Sequence, residues 1–157
     1  MLILGIETSC DETAASLLEI SHGRVRVLSN AISSQIKIHA PFGGVVPSLA
    51  AREHVKNLPK VIKLALHAKR WTLNAVDLIA VTRGPGLVSS LLVGTAFAQT
   101  LAWKHKKPII GANHIEGHIA SNLLKSASVP FPALCLVVSG GHTELVLMKG
   151  VGKYQIV

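Results

Sequence analysis

A chain of 157 residues, 49% hydrophobic and 15% charged, holds enough apolar side chain for one domain and part of another and is too apolar to stay disordered. Sixteen Lys and Arg against eight Asp and Glu give a net charge of +8, which suits a nucleic acid or another anionic partner. With aromatics at 4%, base stacking on an aromatic platform is not expected to be the main binding device. Cys10 and Cys135 form no CxxC and no disulfide framework, so a reducing, cytoplasmic setting is expected.

Met1 runs straight into LILGIE, with no basic region and no cleavage site, so no secretory signal is expected. Residues 2–7 read as a central strand, 13–19 as a second strand and 24–33 as a third. The loop Ala40-Pro41-Phe42-Gly43-Gly44 breaks the pattern. Pro47 then opens a helix to about residue 70, with Leu49, Val55, Leu58, Ile62, Ala65 and Leu66 at loosely helical spacing. Pro59 inside it predicts a kink or break. Residues 76–82 are strand-like, Gly84-Pro85-Gly86 is a loop, and 87–105 a helix. The apolar run 87–103 contains Ser89, Ser90, Thr95, Gln99 and Thr100, so it reads as a buried helix rather than a membrane span. A strand over 108–112 and a helix over 113–125 complete the order β-β-β-α-β-α-β-α.

After Pro130-Phe131-Pro132 the pattern restarts. Strands are expected over 133–139 and 143–148, joined by the Gly140-Gly141 turn, with a third beginning near Tyr154. Both parts open with strand, small-residue turn and antiparallel strand, which points to a structural duplication. The expected division is a first lobe over 1–130 and the start of a second over 131–157, the latter too short to close a core alone.

Five of the eight acids sit beside turns or histidines: Glu7, Asp11, Glu12, Glu116 and Glu144. Acids also favour turns and helix starts on general grounds. In Asn113-His114-Ile115-Glu116-Gly117-His118 the two histidines are four apart. On a helix both imidazoles share a face, which suits two ligands of one metal ion, although two are too few for a closed site. Glu116 lies on another face, so this is not the HExxH arrangement of a metalloprotease. A pair of partly exposed histidines at a helix start would look the same.

Three small-residue turns follow strands: Thr8-Ser9-Cys10-Asp11, Arg83-Gly84-Pro85-Gly86 and Ser139-Gly140-Gly141-His142. Exposed backbone N–H groups at such turns are suited to phosphates. Basic residues gather at Arg52, Lys56, Lys60, Lys63, Lys69 and Arg70, and at Lys104, Lys106 and Lys107, with few acids between them. That pattern fits a solvated helix face or a polyanion surface.

Five motifs taken together, ILGIETSCDET, SSQIKIHAPFGGVVPSLAAREHV, TRGPGLVSSLLVG, NHIEGH and LVVSGGHTEL, closely resemble the tRNA threonylcarbamoyladenosine synthesis family once described as glycoproteases. The resemblance spans essentially the whole chain. It implies the α/β actin-like ATPase superfold of sugar kinases, Hsp70 and actin, in which ribonuclease H-like lobes with mixed five-stranded sheets flank a cleft. It also implies an acyltransferase that moves threonylcarbamoyl from threonylcarbamoyl-AMP to N6 of adenosine 37 in tRNAs reading ANN codons.

Carried over by position, His114 and His118 would ligate one iron or zinc ion per subunit. Val137, Val138, Ser139, Gly140 and Gly141 would line the adenylate site, and Asp11 and Glu12 would polarise or deprotonate the attacking amine. Members of the family run to about twice this length by two-domain logic. The chain is therefore expected to be an N-terminal portion whose metal site is incomplete. Expected partners are tRNA, threonylcarbamoyl-AMP, an inactive paralogue and an ATPase in bacteria, and a second copy of the chain through the strands over 133–157, with no membrane. Two alternatives are a non-catalytic subunit-binding module and a phosphotransferase of the same superfold.

Overall fold

The apolar run LILGIE forms β1 (Leu2–Glu7), and its burial on both sides places it at the centre of a sheet, where a continuous hydrophobic run belongs. In this computed structural model residues 1–67, 70–124, 129–139 and 143–157 are described. They group into two units, Met1–His114 and Ile115–Val157.

In the first unit β1 is followed by β2 (Glu12–Ser21) and β3 (Arg24–Ser34). His22 and Gly23, both at positive φ, make the two-residue turn between β2 and β3, the backbone geometry that matches strand twist in a tight hairpin. A four-residue helix α1 (Ile36–His39) runs into a 3-10 turn over Ala40–Phe42, which Gly43 ends with a left-handed φ of 69°. Then come α2 (Pro47–His67), β4 (Leu78–Gly84), α3 (Val88–His105) and β5 (Ile109–Asn113). Strand order is β3-β2-β1-β4-β5. β1 pairs antiparallel with β2 and parallel with β4, which pairs parallel with β5. This is the mixed five-stranded sheet that the chain order implied.

Leu2, Leu4 and Ile6 of β1, Ala15 and Leu17 of β2, and Ile79 and Val81 of β4 enclose the core with α2 and α3. The α2 residues turned inward are Ala50, His54, Leu58, Val61, Ile62, Ala65 and Leu66. Val55, one of the apolar positions at loosely helical spacing, is exposed. His54 takes that place because it lies one turn before Leu58 on the buried stripe. Pro59 does not break α2. It sits on the exposed side, where the carbonyl that loses its N–H partner, that of the exposed Val55, reaches water.

The second unit contains most of α4 (His114–Ser121), a 3-10 turn over Asn122–Leu124, and β6 (Ala133–Val138), β7 (Thr143–Gly150) and β8 (Lys153–Ile156). The strands form an antiparallel sheet in that order. Period-2 alternation on β6 turns Cys135 and Val137 toward Ile119, Val146 and Met148, and leaves Leu134, Leu136 and Val138 exposed. The expected Gly140-Gly141 turn lies outside the described residues, as does Lys69. Among the described residues no helix is long and apolar enough to cross a membrane.

Gly94 marks a close approach of α3 to the start of the β1–β2 turn. A Cβ there would stand 2.1 Å from Thr8 Oγ1 and 3.2 Å from Thr8 Cβ. Both residues are buried, so the missing side chain outweighs the ordinary helix penalty of glycine. Replacing Gly94 by Ala should therefore destabilise the chain by about 1–3 kcal/mol despite alanine's better helix propensity. Urea denaturation followed by circular dichroism checks this, and a stabilised variant would show that α3 is free to shift outward.

Candidate active site

The turn between β1 and β2 is held by its carbonyls. Ser9 C=O accepts from Leu87 N–H at 2.8 Å and Asp11 C=O from Gln35 N–H at 2.9 Å. Cys10 C=O accepts from His54 Nε2–H at 3.0 Å. Thr8 adds its hydroxyl, donated to Ser90 C=O at 2.9 Å. Three successive peptide groups are thus tied to the start of α3, to α2 and to the end of β3. Gly86 lets the loop before α3 pass close by, since a Cβ there would lie 2.6 Å from Ser9 O.

On one flank of this turn stands Glu7, at the end of β1. Its carboxylate accepts from Thr82 Oγ1 at 2.5 Å, from the Ser9 backbone N–H, and from His114 Nδ1 at 3.3 Å. Burial pushes its pKa upward, but the hydrogen bonds from His114, Ser9 and Thr82 outweigh burial and hold it at about 2. Glu7 in turn raises the pKa of His114, chiefly through their hydrogen bond and against partial desolvation. Ser9 Oγ lies 3.2 Å from His114 Nδ1 and 3.5 Å from Nε2. Serine and carboxylate both meet Nδ1, so the three do not form a relay in which the base bridges acid and nucleophile through opposite nitrogens.

On the other flank is a buried polar chain. His54 Nδ1 accepts from Thr13 Oγ1 at 2.8 Å and lies 3.4 Å from Gln35 Nε2. Gln35 Oε1 accepts from His39 Nε2 at 3.0 Å, and His39 Nδ1 accepts from Val46 N–H at 3.3 Å. Thr13, Gln35 and His54 are fully buried. Burial pushes the His54 pKa down, opposed by the Cys10 carbonyl and the Glu7 and Asp11 charges and reinforced by His39.

Of the residues singled out in the sequence, Asp11 is half-buried at the end of the turn and Glu12 is exposed as the first residue of β2. The Cys10 thiol beside them is pushed up to about 11, by partial desolvation first and then by Asp11 and Glu12, so it is a poor nucleophile at neutral pH. His114 and His118 both lie on α4, one helical turn apart in sequence. In the second unit His118 joins Val137, Val138 and Ser139 in lining a cavity of about 190 Å³, together with Asn122 and Cys135. Gly140 and Gly141 lie outside the described residues. On α2 the cations Arg52, Lys56, Lys60 and Lys63 are all exposed, and Lys56 pairs with Glu53 at 2.5 Å.

Spacing and composition single out none of Thr13, Gln35, His39, His54 and Thr82. The segment SSQIKIHAPFGGVVPSLAAREHV carries three of them, and two histidines with a glutamine between apolar positions are a signal for a satisfied buried network.

The strand order and helix placement define an α/β ribonuclease H-like fold of the actin-like ATPase class. Solved structures of low identity share it. YeaZ from Pseudomonas aeruginosa superposes with a TM-score of 0.57 at 19% identity, covering 99% of this chain and 67% of that one. A Ppx/GppA family member from Aquifex aeolicus gives 0.57 at 15%, covering 100% and 50%. The family model described as TsaD, tRNA N6-adenosine threonylcarbamoyltransferase, matches residues 26–157, and the chain belongs to that family. Curated relatives of that name are 50% identical over 155 residues in Syntrophomonas wolfei and 52% over 156 in Dehalococcoides mccartyi. Each alignment covers 99% of this chain, and 45% and 47% of the relative respectively. The chain thus spans about half the length of the relatives it matches.

Because the folded state holds His54 with a pKa below the ordinary 6.5, the unfolded chain binds the extra proton as pH falls through that value. The contribution of His54 to stability is present above about pH 6.5 and is lost on acidification toward its folded pKa. Unfolding free energies from urea titrations at pH 7.5 and 5.5 should fall more steeply in wild type than in His54→Gln. Equal slopes would mean that His54 takes up its proton as readily in the fold as in the unfolded chain.

Proposed function

We propose that this chain takes part, in the cytoplasm, in transfer of threonylcarbamoyl from threonylcarbamoyl-AMP to N6 of adenosine 37 in tRNAs that read ANN codons. Membership of the threonylcarbamoyltransferase family supports the reaction class. The observation that carries the site is the second-unit cavity, where His118 from one part of the sequence meets Val137, Val138 and Ser139 from another.

In this reading Val137, Val138 and Ser139, with Gly140 and Gly141, bind the adenylate. The N6 amine attacks the carbamoyl carbonyl, a C–N bond forms, the C–O bond of the mixed anhydride breaks and AMP leaves. The amine loses one proton, for which Asp11 and Glu12 are the proposed acceptors. The net charge of +8 favours a tRNA partner.

His114 and His118 are the proposed donors to an iron or zinc ion, which when bound would act as a Lewis acid toward carbonyl or phosphate oxygens. Glu7 at His114 Nδ1 is the kind of carboxylate partner that prepares a histidine to ligate through its other nitrogen. Among the described residues no group of three His, Cys, Asp or Glu converges. Two histidines do not complete a site.

We further propose residues 1–130 as a first lobe and 131–157 as the start of a second, with a paralogous subunit and an ATPase as bacterial partners. The exposed Leu134 and Leu136 on β6 belong to the proposed surface for association between copies through the strands over 133–157. Light scattering should then show a mass above that of one chain that falls when Leu136 is replaced by Lys. A concentration-independent monomer removes that contact.

The transfer itself is tested with synthetic threonylcarbamoyl-AMP carrying labelled threonine and a tRNA transcript with A37 or G37. Label should enter the A37 transcript alone, and no incorporation with A37 would overturn the reading for this chain. Replacing Glu12 by Ala should lower kcat by about 10²–10⁴ while KM moves little. Unchanged turnover would remove Glu12 from the mechanism.

A further inference from the structure

The buried chain of His39, Gln35, His54 and Thr13 has only one consistent set of proton positions. Val46 N–H can only donate, so His39 Nδ1 is bare and its Nε2 carries the proton. Gln35 Oε1 is therefore the acceptor at 3.0 Å, which turns Gln35 Nε2 toward Ala50 C=O at 3.4 Å and His54 Nδ1 at 3.4 Å. Cys10 C=O can only accept, so His54 carries its proton on Nε2, and Nδ1 is free to accept from Thr13 Oγ1. Every member is satisfied and both imidazoles are neutral. A core position one turn before Leu58 needs no polar side chain for packing alone. A satisfied network there gains direction rather than net stability.

The direction leads to the turn. Gln35 contributes twice, by its side chain to the network and by its backbone N–H to Asp11 C=O. His54 takes the adjoining carbonyl, that of Cys10. The two peptide groups immediately before Glu12 are thus fixed from one side by the network, while Ser9 C=O is fixed from the other by Leu87 N–H. Reacting groups misplaced by about 1 Å lose on the order of 10²-fold in rate.

We infer that His54 is a positioning residue, holding through the Cys10 carbonyl, together with Gln35, the turn that presents Asp11 and Glu12. The inference rests on the role proposed for that acidic pair. His54 does not touch the reacting atoms.

His54→Leu removes the donor and keeps the bulk, whereas His54→Gln places an amide N–H near the position of Nε2. In the labelled-threonine transfer assay, His54→Leu should lower kcat by about 10–100-fold with KM changed less than about threefold. His54→Gln should recover to within about fivefold of wild type. Thr13→Val, which loses only the hydroxyl that sets the ring, should shift kcat in the same direction by a smaller factor. It keeps the test available if His54→Leu does not fold.

Amide hydrogen exchange supplies the second readout. Exchange over residues 8–12 should accelerate at least about tenfold in His54→Leu and less in His54→Gln, while β4 amides stay at the wild-type rate. Uniform exchange across the variants overturns the inference, whether or not wild type transfers label. Faster exchange at the turn with unchanged kcat overturns it too. A wild-type chain that transfers no label defeats the proposed function instead, and the exchange data then decide the positioning alone.

Discussion

Fixing three consecutive carbonyls in the β1–β2 turn is the constraint on which the rest of the first unit depends. A turn between two antiparallel strands normally leaves its peptide groups to water. Here Ser9, Cys10 and Asp11 each give a carbonyl to a different element. The partners are the residue before α3, a side chain of α2 and the residue after β3. The turn is therefore the point where both helices and the sheet are registered against one another. Gly86 and Gly94 belong to the same constraint, because the backbone around Thr8 and Ser9 fills the space that their side chains would need.

Electrostatics on the two flanks of the turn run in opposite senses. Around Glu7 the hydrogen bonds overcome desolvation, so a partly buried carboxylate stays ionised and raises the pKa of His114. Around His54 desolvation prevails, so an imidazole within reach of two carboxylate charges stays neutral. Donor geometry makes the difference. Glu7 meets donors at both oxygens, whereas His54 must leave Nδ1 bare to accept from Thr13. One face of the turn is thereby charged and the other uncharged, with Asp11 and Glu12 between them in sequence.

The second unit shows how period-2 alternation can serve two ends on one strand. Cys135 and Val137 close the small core against Ile119, Val146 and Met148. Val137, Val138 and Ser139, at the end of the same strand, line the cavity shared with His118 and Asn122. Val137 belongs to both, closing the core and lining the cavity.

Sequence by itself determined the strand and helix order, because the apolar runs 2–7, 76–82 and 133–139 and the turns at Gly84-Pro85-Gly86 and Pro130-Phe131-Pro132 are local signals. Five motifs in order were enough to indicate the family, since each fixes residue types that packing alone would not require. Apolar spacing alone does not find the buried face of α2, which includes His54 and leaves out Val55. A histidine is polar on any scale, and only its partners on β2, in the β1–β2 turn and after β3 make it a core residue. Pro59 misled for the same reason, since its cost depends on whether the lost donor faces water. The pairing of Glu7 with His114 joins residues 107 apart. Separations of that length leave no trace in spacing or periodicity, and the tertiary structure alone decided which acid, which serine and which histidine meet.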